Sequence, residues 1–572
     1  MAACCGNSPM STRPTPNMAG CKRVGMKDTV RQSPRTRVLL ELRPAFDGFA
    51  GIPQETRLLF RGLRMLESCE VAGMLQMSNR ILAKGINEQG LLPESLWMSE
   101  AQKINRYSRI VTSAAERPYV TFIQALLDVC VRRVNSAALS VQTLLSLKSV
   151  GLWSFHTAHF EDFIWQSLFA KSLPASDFEL VTRARQFVCR TPWQSMHMAG
   201  LRTLTFRRTA KYPKLRTPGT DIFITQTPYP ARVSRGTSMV VRYHDAVPVF
   251  MPHTIGDVSL HQASHYHALA ANVAAGARFA CVSAATRDDL LRLFPRAESQ
   301  AVVIHNMVSH HYFSENSSPQ LVPGIIRTRL HEPDPDTGVD VRPKFLTLRE
   351  QESFYSRNLQ KKPLRYLLCV ATIEPRKNHA RLLAAWEVIK AETDPDLKLV
   401  VVGSLGWNYL KTVQGFRPWI DRGELFMLSA VPAPDLRVLY RHAVATVCPS
   451  IGEGFDFSGV ESMRSGGVVI ASGIAAHREV YADGAAYFDP YSTVDLVAVL
   501  KKVLYADNAA RVQQALRHRA DEVSARYLPA QVLPQWDVFL ADVVAKRKTA
   551  IPRPVAATAR LPTQTADAAE ES

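Results

Sequence analysis

Between residues 366 and 526 the sequence alternates between short, continuously apolar runs and longer segments with a helical repeat. Six β-branched runs predict strands at 366–373, 398–403, 425–431, 445–450, 468–472 and 485–489. Runs that are apolar at every position are typical of strands buried on both faces. Because helical segments separate them regularly, the pattern predicts an α/β fold with a parallel, doubly wound sheet.

The first half of the chain repeats this scheme less regularly. Candidate strands are 37–42, 221–226, 239–244, 278–283 and 301–308, and helical patterns cover 54–67 and 259–275. A chain of 572 residues is too long for one ordinary core, so two Rossmann-like domains are expected. Ligands of such sheets bind beyond the carboxyl ends of the strands, which predicts a cleft between the two domains.

Composition and hydrophobic patterning divide the chain into domains, a linker and two tails. The predicted organisation is a disordered basic tail (1–33), an N-terminal domain (34–313) with a helical basic insertion around 68–220, a proline-rich linker (314–362), a C-terminal domain (363–526), a C-terminal helix returning to the N-terminal domain (527–545) and a disordered tail (546–572). Both tails are rich in small and polar residues with little periodicity, which indicates disorder.

The net charge of +18 favours polyanionic partners. Residues 180–220 carry nine basic residues and no acid: Arg183, Arg185, Arg190, Arg202, Arg207, Arg208, Lys211, Lys214 and Arg216. Apolar side chains interleave with them, which suits a peripheral contact with an anionic membrane, and a solvated helix face fits the pattern equally well. RNA binding has no recognised motif in its support, so no nucleic-acid partner is expected.

Membrane spans, disulfides and metals have little support in the sequence. No run reaches the roughly 18 apolar residues needed to span a bilayer, and residues 1–37 lack an apolar signal core, which predicts a cytoplasmic protein. The nine cysteines form no CxxC motif, which favours buried thiols. His261, His265 and His267 lie close together, but no acid completes a ligand set, so no metal is expected.

Two motifs follow predicted strands of the second domain. In the first, Arg376 and Lys377 stand where strand 366–373 gives way to a helix, and Asn378 is a candidate N-cap. Two cations beside free helix N–H groups suit a diphosphate. In the second, Glu453 lies in a glycine-rich turn after strand 445–450, and Glu461 lies about two turns into the next helix. Carboxylates at these two depths suit the hydroxyls of a sugar and of a ribose.

The order of these motifs resembles the retaining GT-B glycosyltransferases of family 4, also called group 1. The resemblance covers most of residues 366–508 and includes 371–378, 402–403, 436–440, the two glutamates, 475–480 and 486–490. It implies two Rossmann-like domains facing across a cleft, the first for the acceptor and the second for the donor. It also implies transfer of a hexose from a nucleotide sugar with retention of configuration. Arg376, Lys377 and the helix N-terminus near residue 457 can meet the negative charge of the leaving diphosphate, so no metal is expected.

The resemblance assigns roles to residues of both halves. Those implied to act in catalysis are Glu453, His244, Arg376 and Lys377, and those implied to bind the donor are Glu461, Gly403, Gly454, Phe455, Ser458, Gly51 and Asp245. Ser283, Thr286 and Asn306 match positions that look structural or cleft-lining. Asp456 stands where the family usually has glycine, and an acid there would either cap the helix or weaken diphosphate binding.

The same resemblance narrows the choice of substrate. It is strongest to mannosyl-type transferases of bacterial surface polysaccharides. GDP-mannose is the first expectation for the donor and a UDP-sugar the second. The expected acceptor is a glycan or a polyprenyl-diphosphate-linked glycan, as in lipopolysaccharide biosynthesis, reached from the inner face of the cytoplasmic membrane. Front-side displacement is expected, because no carboxylate is obviously placed as a nucleophile. The alternative is a non-catalytic sugar-nucleotide or polyanion-binding GT-B scaffold.

Overall fold

The computed structural model describes residues 35–49, 51–88, 92–115, 121–147, 149–333, 338–359 and 363–550. The predicted tail 1–33 lies outside these ranges, as do residues 551–572 of the predicted tail 546–572. In the described residues, none of the helices combines the length and the apolar character that crossing a bilayer requires.

The N-terminal domain is built on an eight-stranded sheet. Its strands are β1 (Thr36–Glu41), β2 (Cys69–Leu75), β4 (Leu152–Phe155), β5 (Gln186–Cys189), β7 (Ile222–Thr225), β8 (Ser238–Tyr243), β9 (Arg278–Cys281) and β10 (Ala301–Val303), while β3 (Ser149–Val150) and β6 (Lys214–Leu215) pair separately. The order is β10-β9-β8-β7-β1-β2-β5-β4, and every pair is parallel except β4 with β5. The carboxyl ends of β1, β7, β8 and β9 therefore meet at one edge.

Helices cover this sheet and connect its strands. They are α1 (Ile52–Arg64), α2 (Glu100–Ala114), α3 (Phe122–Leu145), α4 (Glu161–Ile164), α5 (Phe178–Thr182), α6 (Trp193–Arg202), α7 (Val247–Phe250), α8 (Val258–Ala274) and α9 (Ala284–Leu293). The buried Arg57 of α1 donates hydrogen bonds to the carbonyl oxygens of Ala45, Asp47 and Gly48. Its guanidinium thereby fixes the loop between β1 and α1.

The predicted helical insertion at 68–220 is wrong in extent, because β2, β4 and β5 of the main sheet lie inside it. These strands carry polar or small residues such as Glu70, Gly73 and Gln186, which hid their apolar pattern. The basic stretch 180–220 does not form one surface either. Met196 is buried and Phe187 half-buried, whereas Phe206 is exposed.

The C-terminal domain has a six-stranded, fully parallel sheet. Its strands are β11 (Tyr366–Val370), β12 (Lys398–Val402), β13 (Leu425–Leu428), β14 (Ala445–Cys448), β15 (Val469–Ser472) and β16 (Ala485–Phe488). The order β13-β12-β11-β14-β15-β16 is that of a Rossmann fold, in which the strand order reverses between β11 and β14. Both sheets thus confirm the expected α/β fold with two Rossmann-like domains.

Ten α-helices lie in the described residues of the second half. They are α10 (Leu321–Thr328), α11 (Leu348–Leu359), α12 (His379–Glu392), α13 (Leu410–Arg422), α14 (Ala433–His442), α15 (Phe457–Arg464), α16 (Ala475–Tyr481), α17 (Thr493–Leu504), α18 (Ala509–Ala525) and α19 (Pro529–Ala550). The interpretation of 314–362 as a linker is wrong, because Ile325 and Ile326 of α10 and Tyr355 of α11 lie in the core of the C-terminal domain. Pro323 suggested a linker, but it lies in the first turn of α10, where proline removes no hydrogen bond from the helix.

The last helix, α19, joins the core of the N-terminal domain. Trp536 and Leu540 of α19 are buried against apolar side chains of that domain, including Leu59 and Leu63 of α1. The helix continues to residue 550, so the predicted tail 546–572 begins too early.

Candidate active site

A cluster of four charged side chains lies where the strand order of the C-terminal sheet reverses. The Nη1 atom of Arg376 donates to Oε2 of Glu453 at 2.7 Å, and the Nζ atom of Lys377 donates to Oε1 of the same carboxylate at 2.5 Å. Nη2 of Arg376 also donates to Glu374 at 2.7 Å. The loops after β11 and β14 therefore bring together the two motifs that stand about 76 residues apart in the sequence.

The Glu453 carboxylate is nearly enclosed by the protein. Burial alone would raise its pKa, but the charges of Arg376 and Lys377 outweigh burial, and the pKa of Glu453 is lowered. Glu453 is therefore ionised at neutral pH and neutralises the cations that the sequence assigns to a diphosphate. The sequence predicted these residues but not their contact with one another.

Asn378 holds the two loops of the cluster together. Its backbone adopts φ +58°, and its side chain caps no helix, unlike the prediction. The Nδ2 atom donates instead to the carbonyl oxygens of Pro449 at 3.1 Å and Pro490 at 3.0 Å. Asn378 thus tethers the Arg376–Lys377 turn to the loops after β14 and β16.

Asp456 caps helix α15. Its Oδ1 atom accepts hydrogen bonds from the backbone N–H of Ser458 at 3.1 Å and from the Ser458 hydroxyl at 2.7 Å, while Oδ2 lies 3.2 Å from Nε2 of His477. Burial opposes ionisation of Asp456, but His477, Lys377 and Ser458 together lower its pKa. The backbone N–H of Ser458, in the first turn of α15, is therefore occupied by this chain's own carboxylate.

The two domains contact each other directly at this site. A Cβ atom on Gly454 would lie 1.7 Å from the carbonyl oxygen of His244, so only glycine fits. The hydroxyl of Ser283 donates to the carbonyl oxygen of Gly454 at 2.6 Å. The structure thus places His244 and its neighbour Asp245 against the glycine-rich turn that carries Glu453.

A cavity of about 520 Å³ opens between the carboxyl ends of both sheets. Its wall combines His244 and Asp245 of the N-terminal domain with Glu374 and Arg376 of the cluster. Burial lowers the pKa of His244 well below its usual value, and the positive charge of Arg242 lowers it further. His244 is therefore neutral, with Nε2 lying 3.2 Å from Oε1 of Gln226.

Three further side chains of the cavity wall carry nitrogens without a hydrogen-bond partner in the protein: Trp193 Nε1, both ring nitrogens of His197, and Gln226 Nε2. Burial lowers the pKa of His197 well below its usual value, so its ring is neutral. Buried donors and acceptors of this kind are costly when unpaired, and ordered water or a polar ligand can satisfy them. Sequence reasoning missed these residues, although Trp193 and His197 share a helix face and Gln226 ends a predicted strand.

Glu461, which the resemblance implies to bind the donor, is buried, with 4% of its surface exposed. Its carboxylate accepts hydrogen bonds from Gln54 Nε2 of α1 at 2.8 Å and from the Tyr440 hydroxyl at 3.2 Å. Burial raises the pKa of Glu461 to about 7, against the hydrogen bonds, which lower it. Glu461 therefore links the two domains.

The remaining predicted donor residues occupy different environments. Gly403 follows β12, where a Cβ would lie 2.0 Å from the carbonyl oxygen of Ala371, so it allows close packing of the loop before the cluster. Gly51 precedes α1 at φ +72° and is exposed. The Phe455 ring packs against Tyr527 in the core, which leaves only its backbone for a ligand. His261 and His265 line the cavity, and among the described residues no group of three metal-ligating side chains occurs.

Comparison with known proteins extends these findings. Residues 350–521 match the family model described as "Glycosyl transferases group 1". O-antigen chain mannosyltransferase B of Escherichia coli is 31% identical over 150 residues, which are 26% of this chain and 39% of that protein. Serotype-specific mannosyltransferase WbdA of Escherichia coli is 29% identical over 144 residues, 25% of this chain and 18% of that protein. The chain thus spans about two fifths or less of these relatives' lengths.

Among solved structures, sucrose-phosphate synthase of Thermosynechococcus elongatus aligns with 90% of this chain and 100% of its own, with 13% identity and a TM-score of 0.49. The family match covers the β11 and β14 loops that carry the charged cluster. Residues 350–521, which include the C-terminal sheet, therefore resemble the group 1 glycosyl transferases, and the chain has two Rossmann-like domains.

Proposed function

We propose that this protein is a glycosyltransferase that moves a hexose, with mannose as the first candidate, from a nucleoside diphosphate sugar to a glycan. One observation carries the proposal: Arg376, Lys377 and Glu453 converge at the reversal point of the C-terminal sheet, beside a cavity shared with His244 and Asp245. The names of the relatives, an O-antigen chain mannosyltransferase and a serotype-specific mannosyltransferase, support the choice of mannose.

Arg376 and Lys377 would stabilise the negative charge that develops on the departing diphosphate. Their present partner is Glu453, so an arriving diphosphate competes with this carboxylate for both cations. A released Glu453 could then contact the sugar, which is the role the resemblance gives it. This exchange couples donor binding to the delivery of Glu453, and it is compatible with front-side displacement and retention of configuration.

The acceptor would occupy the cavity. The charged residues of its wall are Asp245, Glu374 and Arg376, and Arg376 is already paired with two carboxylates. The unpaired nitrogens of Trp193, His197 and Gln226 suit hydroxyl groups. The proposed acceptor is therefore the uncharged end of a glycan, and a polyprenyl diphosphate carrier would lie outside the cavity. Surface polysaccharide assembly is the proposed setting.

The donor is tested by calorimetric titration with GDP and UDP, and transfer is tested with GDP-mannose and a mannan oligosaccharide. We expect GDP to bind more tightly than UDP, and mannose to be transferred. In Glu453→Gln, transfer falls at least a hundredfold, while GDP binds at least as tightly because the cations lose an anionic competitor. The matched control is Glu392→Gln, which alters a surface pair with Lys501.

The outcomes separate the alternatives. Binding of neither nucleotide would overturn the proposal. Nucleotide binding without transfer or hydrolysis of any GDP- or UDP-sugar would favour a non-catalytic scaffold. Weaker GDP binding in Glu453→Gln would contradict the competition between Glu453 and the diphosphate.

A further inference from the structure

A surface helix usually turns its apolar side towards the core, but helix α3 (Phe122–Leu145) turns its apolar side outwards. Its large apolar side chains point away from the protein and are 50 to 81% exposed: Phe122, Ile123, Leu126, Leu127, Val131, Val134, Val141 and Leu145. These eight residues are called the outer face of α3. At 1.5 Å per residue the helix is about 36 Å long, so the outer face is a long apolar stripe.

The inward side of α3 is mainly polar. Asp128 and Arg132 form an ion pair at 2.7 Å, and Arg132 donates to the carbonyl oxygen of Asn79. Ser136 is buried and accepts a hydrogen bond from Arg202 of α6, and Thr143 is also buried. These contacts set the rotation of the helix, because turning it inside out would break the hydrogen bonds of Arg132 with Asn79 and of Arg202 with Ser136.

Exposure on this scale calls for an apolar partner. Single exposed apolar residues are ordinary, but a contiguous stripe marks an interaction surface. The partner must cover a straight stripe of about 36 Å and must accommodate a helix that lies flat against its surface.

Basic side chains border the outer face. Arg133 is exposed at one margin of the helix. At the C-terminal end Lys211 donates to the carbonyl oxygen of Leu144, which brings the exposed sequence Phe206, Arg207 and Arg208 near this end. The one acid of α3 is Asp128, and Arg132 neutralises it. The surface around the stripe is therefore positively charged.

The positive charge distinguishes between two possible partners of the outer face, a second copy of the chain and an anionic lipid surface. A second copy of the chain would bring the same arginines face to face, and like charges on both sides oppose such pairing. An anionic lipid surface attracts them, and its acyl boundary accepts the apolar stripe. We propose that the outer face of α3 binds the surface of an anionic membrane, with the helix axis in the membrane plane. This assigns the membrane contact to α3, with the exposed residues 206–208 of the basic stretch near its C-terminal end.

The test is flotation of the full-length protein with vesicles of phosphatidylcholine alone or with 30% phosphatidylglycerol. We expect binding to the anionic vesicles that weakens with salt, and at least tenfold weaker binding for Leu127→Gln/Val134→Gln. Arg133→Glu/Arg207→Glu should also weaken binding. The matched control is Val494→Gln/Val538→Gln, which replaces two similarly exposed residues of α17 and α19.

A second measurement reports on the helix itself. Cys130 is exposed on α3, whereas Cys69, Cys189, Cys281, Cys369 and Cys448 are buried. After replacement of Cys4, Cys5 and Cys21 by serine, an environment-sensitive fluorophore on Cys130 should shift to the blue with anionic vesicles, and one on Val494→Cys in a Cys130→Ser background should not.

Three results would overturn the proposal. They are vesicle binding that the α3 variants leave unchanged, no vesicle binding by the unaltered protein, and a dimer in sedimentation that Leu127→Gln/Val134→Gln dissociates. The last would identify a second copy as the occupant. None of these readouts depends on sugar transfer, so the membrane proposal and the proposed function can fail separately.

Discussion

Each domain contains an arginine–glutamate pair, and the two pairs differ in burial and in what surrounds them. Arg242 lies in the N-terminal core, where it pairs with Glu55 at 2.9 Å and also donates to the carbonyl oxygens of Ala280 and Ile304. Neither side chain is more than 2% exposed. Arg376 pairs with Glu453 in the C-terminal domain, but it lines the cavity and also pairs with a second carboxylate, that of Glu374.

The difference separates a structural pair from one suited to ligands. Arg242 is held by partners that cannot leave, so the pair fixes β8 against the end of β10. The partners of Arg376 and Lys377 are carboxylates that an anionic ligand can replace. A buried pair gains little net stability from its charges, but losing one partner is expensive when the other stays buried.

Lys377→Ala should show the largest effect, on function and not on stability. We expect transfer from a nucleotide sugar to fall at least a thousandfold, which corresponds to about 4 kcal/mol. Unfolding should change by less than about 1 kcal/mol, since Glu453 keeps Arg376 as its partner. Steady-state kinetics and urea unfolding measure the two effects, with Lys501→Ala of the surface pair with Glu392 as control. A variant that transfers sugar normally would contradict the role of the cluster.

Arg242→Ala should show the reverse. Removing the guanidinium leaves Glu55 buried without a cation, so we expect the protein to lose about 3 kcal/mol of stability. GDP affinity of the folded protein should change less than threefold, because the donor cations belong to the other domain. Urea unfolding and calorimetry test this against Arg292→Ala, which alters an exposed pair with Asp289. Unchanged stability would erase the distinction between the two pairs.

Glu461 extends the comparison of the two pairs, because it is a buried acid that has no cation as its partner. The variant Glu461→Gln tests its effect on stability. Because the pKa of Glu461 is about 7 when folded and lower when unfolded, the folded state binds its proton more tightly. Its contribution to stability is present at low pH and is lost as pH rises through 7. We expect the unaltered protein to lose about 1 kcal/mol between pH 6 and pH 8 through this group.

Glu461→Gln should abolish that part of the pH dependence, and Glu522→Gln, an exposed acid, should keep it. Urea midpoints at the two pH values give the answer. Equal pH dependence in all three proteins would show that Glu461 does not titrate in this range.

The sequence predicted the C-terminal domain better than the N-terminal domain for a physical reason. Strands β11 and β12 are apolar at almost every position, so their pattern is visible locally. Strand β2 contains Glu70 and Gly73, and β5 begins with Gln186, so their burial depends on neighbours far away in the chain. The helices around Pro323 and Tyr355 were missed because proline and charge suggested a linker.

For the site, residue types were predictable and contacts were not. The motif order singled out Arg376, Lys377 and Glu453, but a sequence cannot reveal that the carboxylate holds both cations. Asp456 was recognised as a candidate cap, and its capping contact with Ser458 also determines that a helix N–H is unavailable to phosphate. Gln54 and Gln226 escaped notice because isolated amides carry no motif.

The position of α19 has a consequence for synthesis of the chain. Val532, Trp536, Phe539 and Val543 complete the core that β1 and α1 begin some 480 residues earlier. Their burial requires that the ribosome has already produced the whole C-terminal domain. The domain that is translated first is therefore the one whose packing is finished last, and a nascent chain must keep the exposed apolar surface of α1 from misassociating until then.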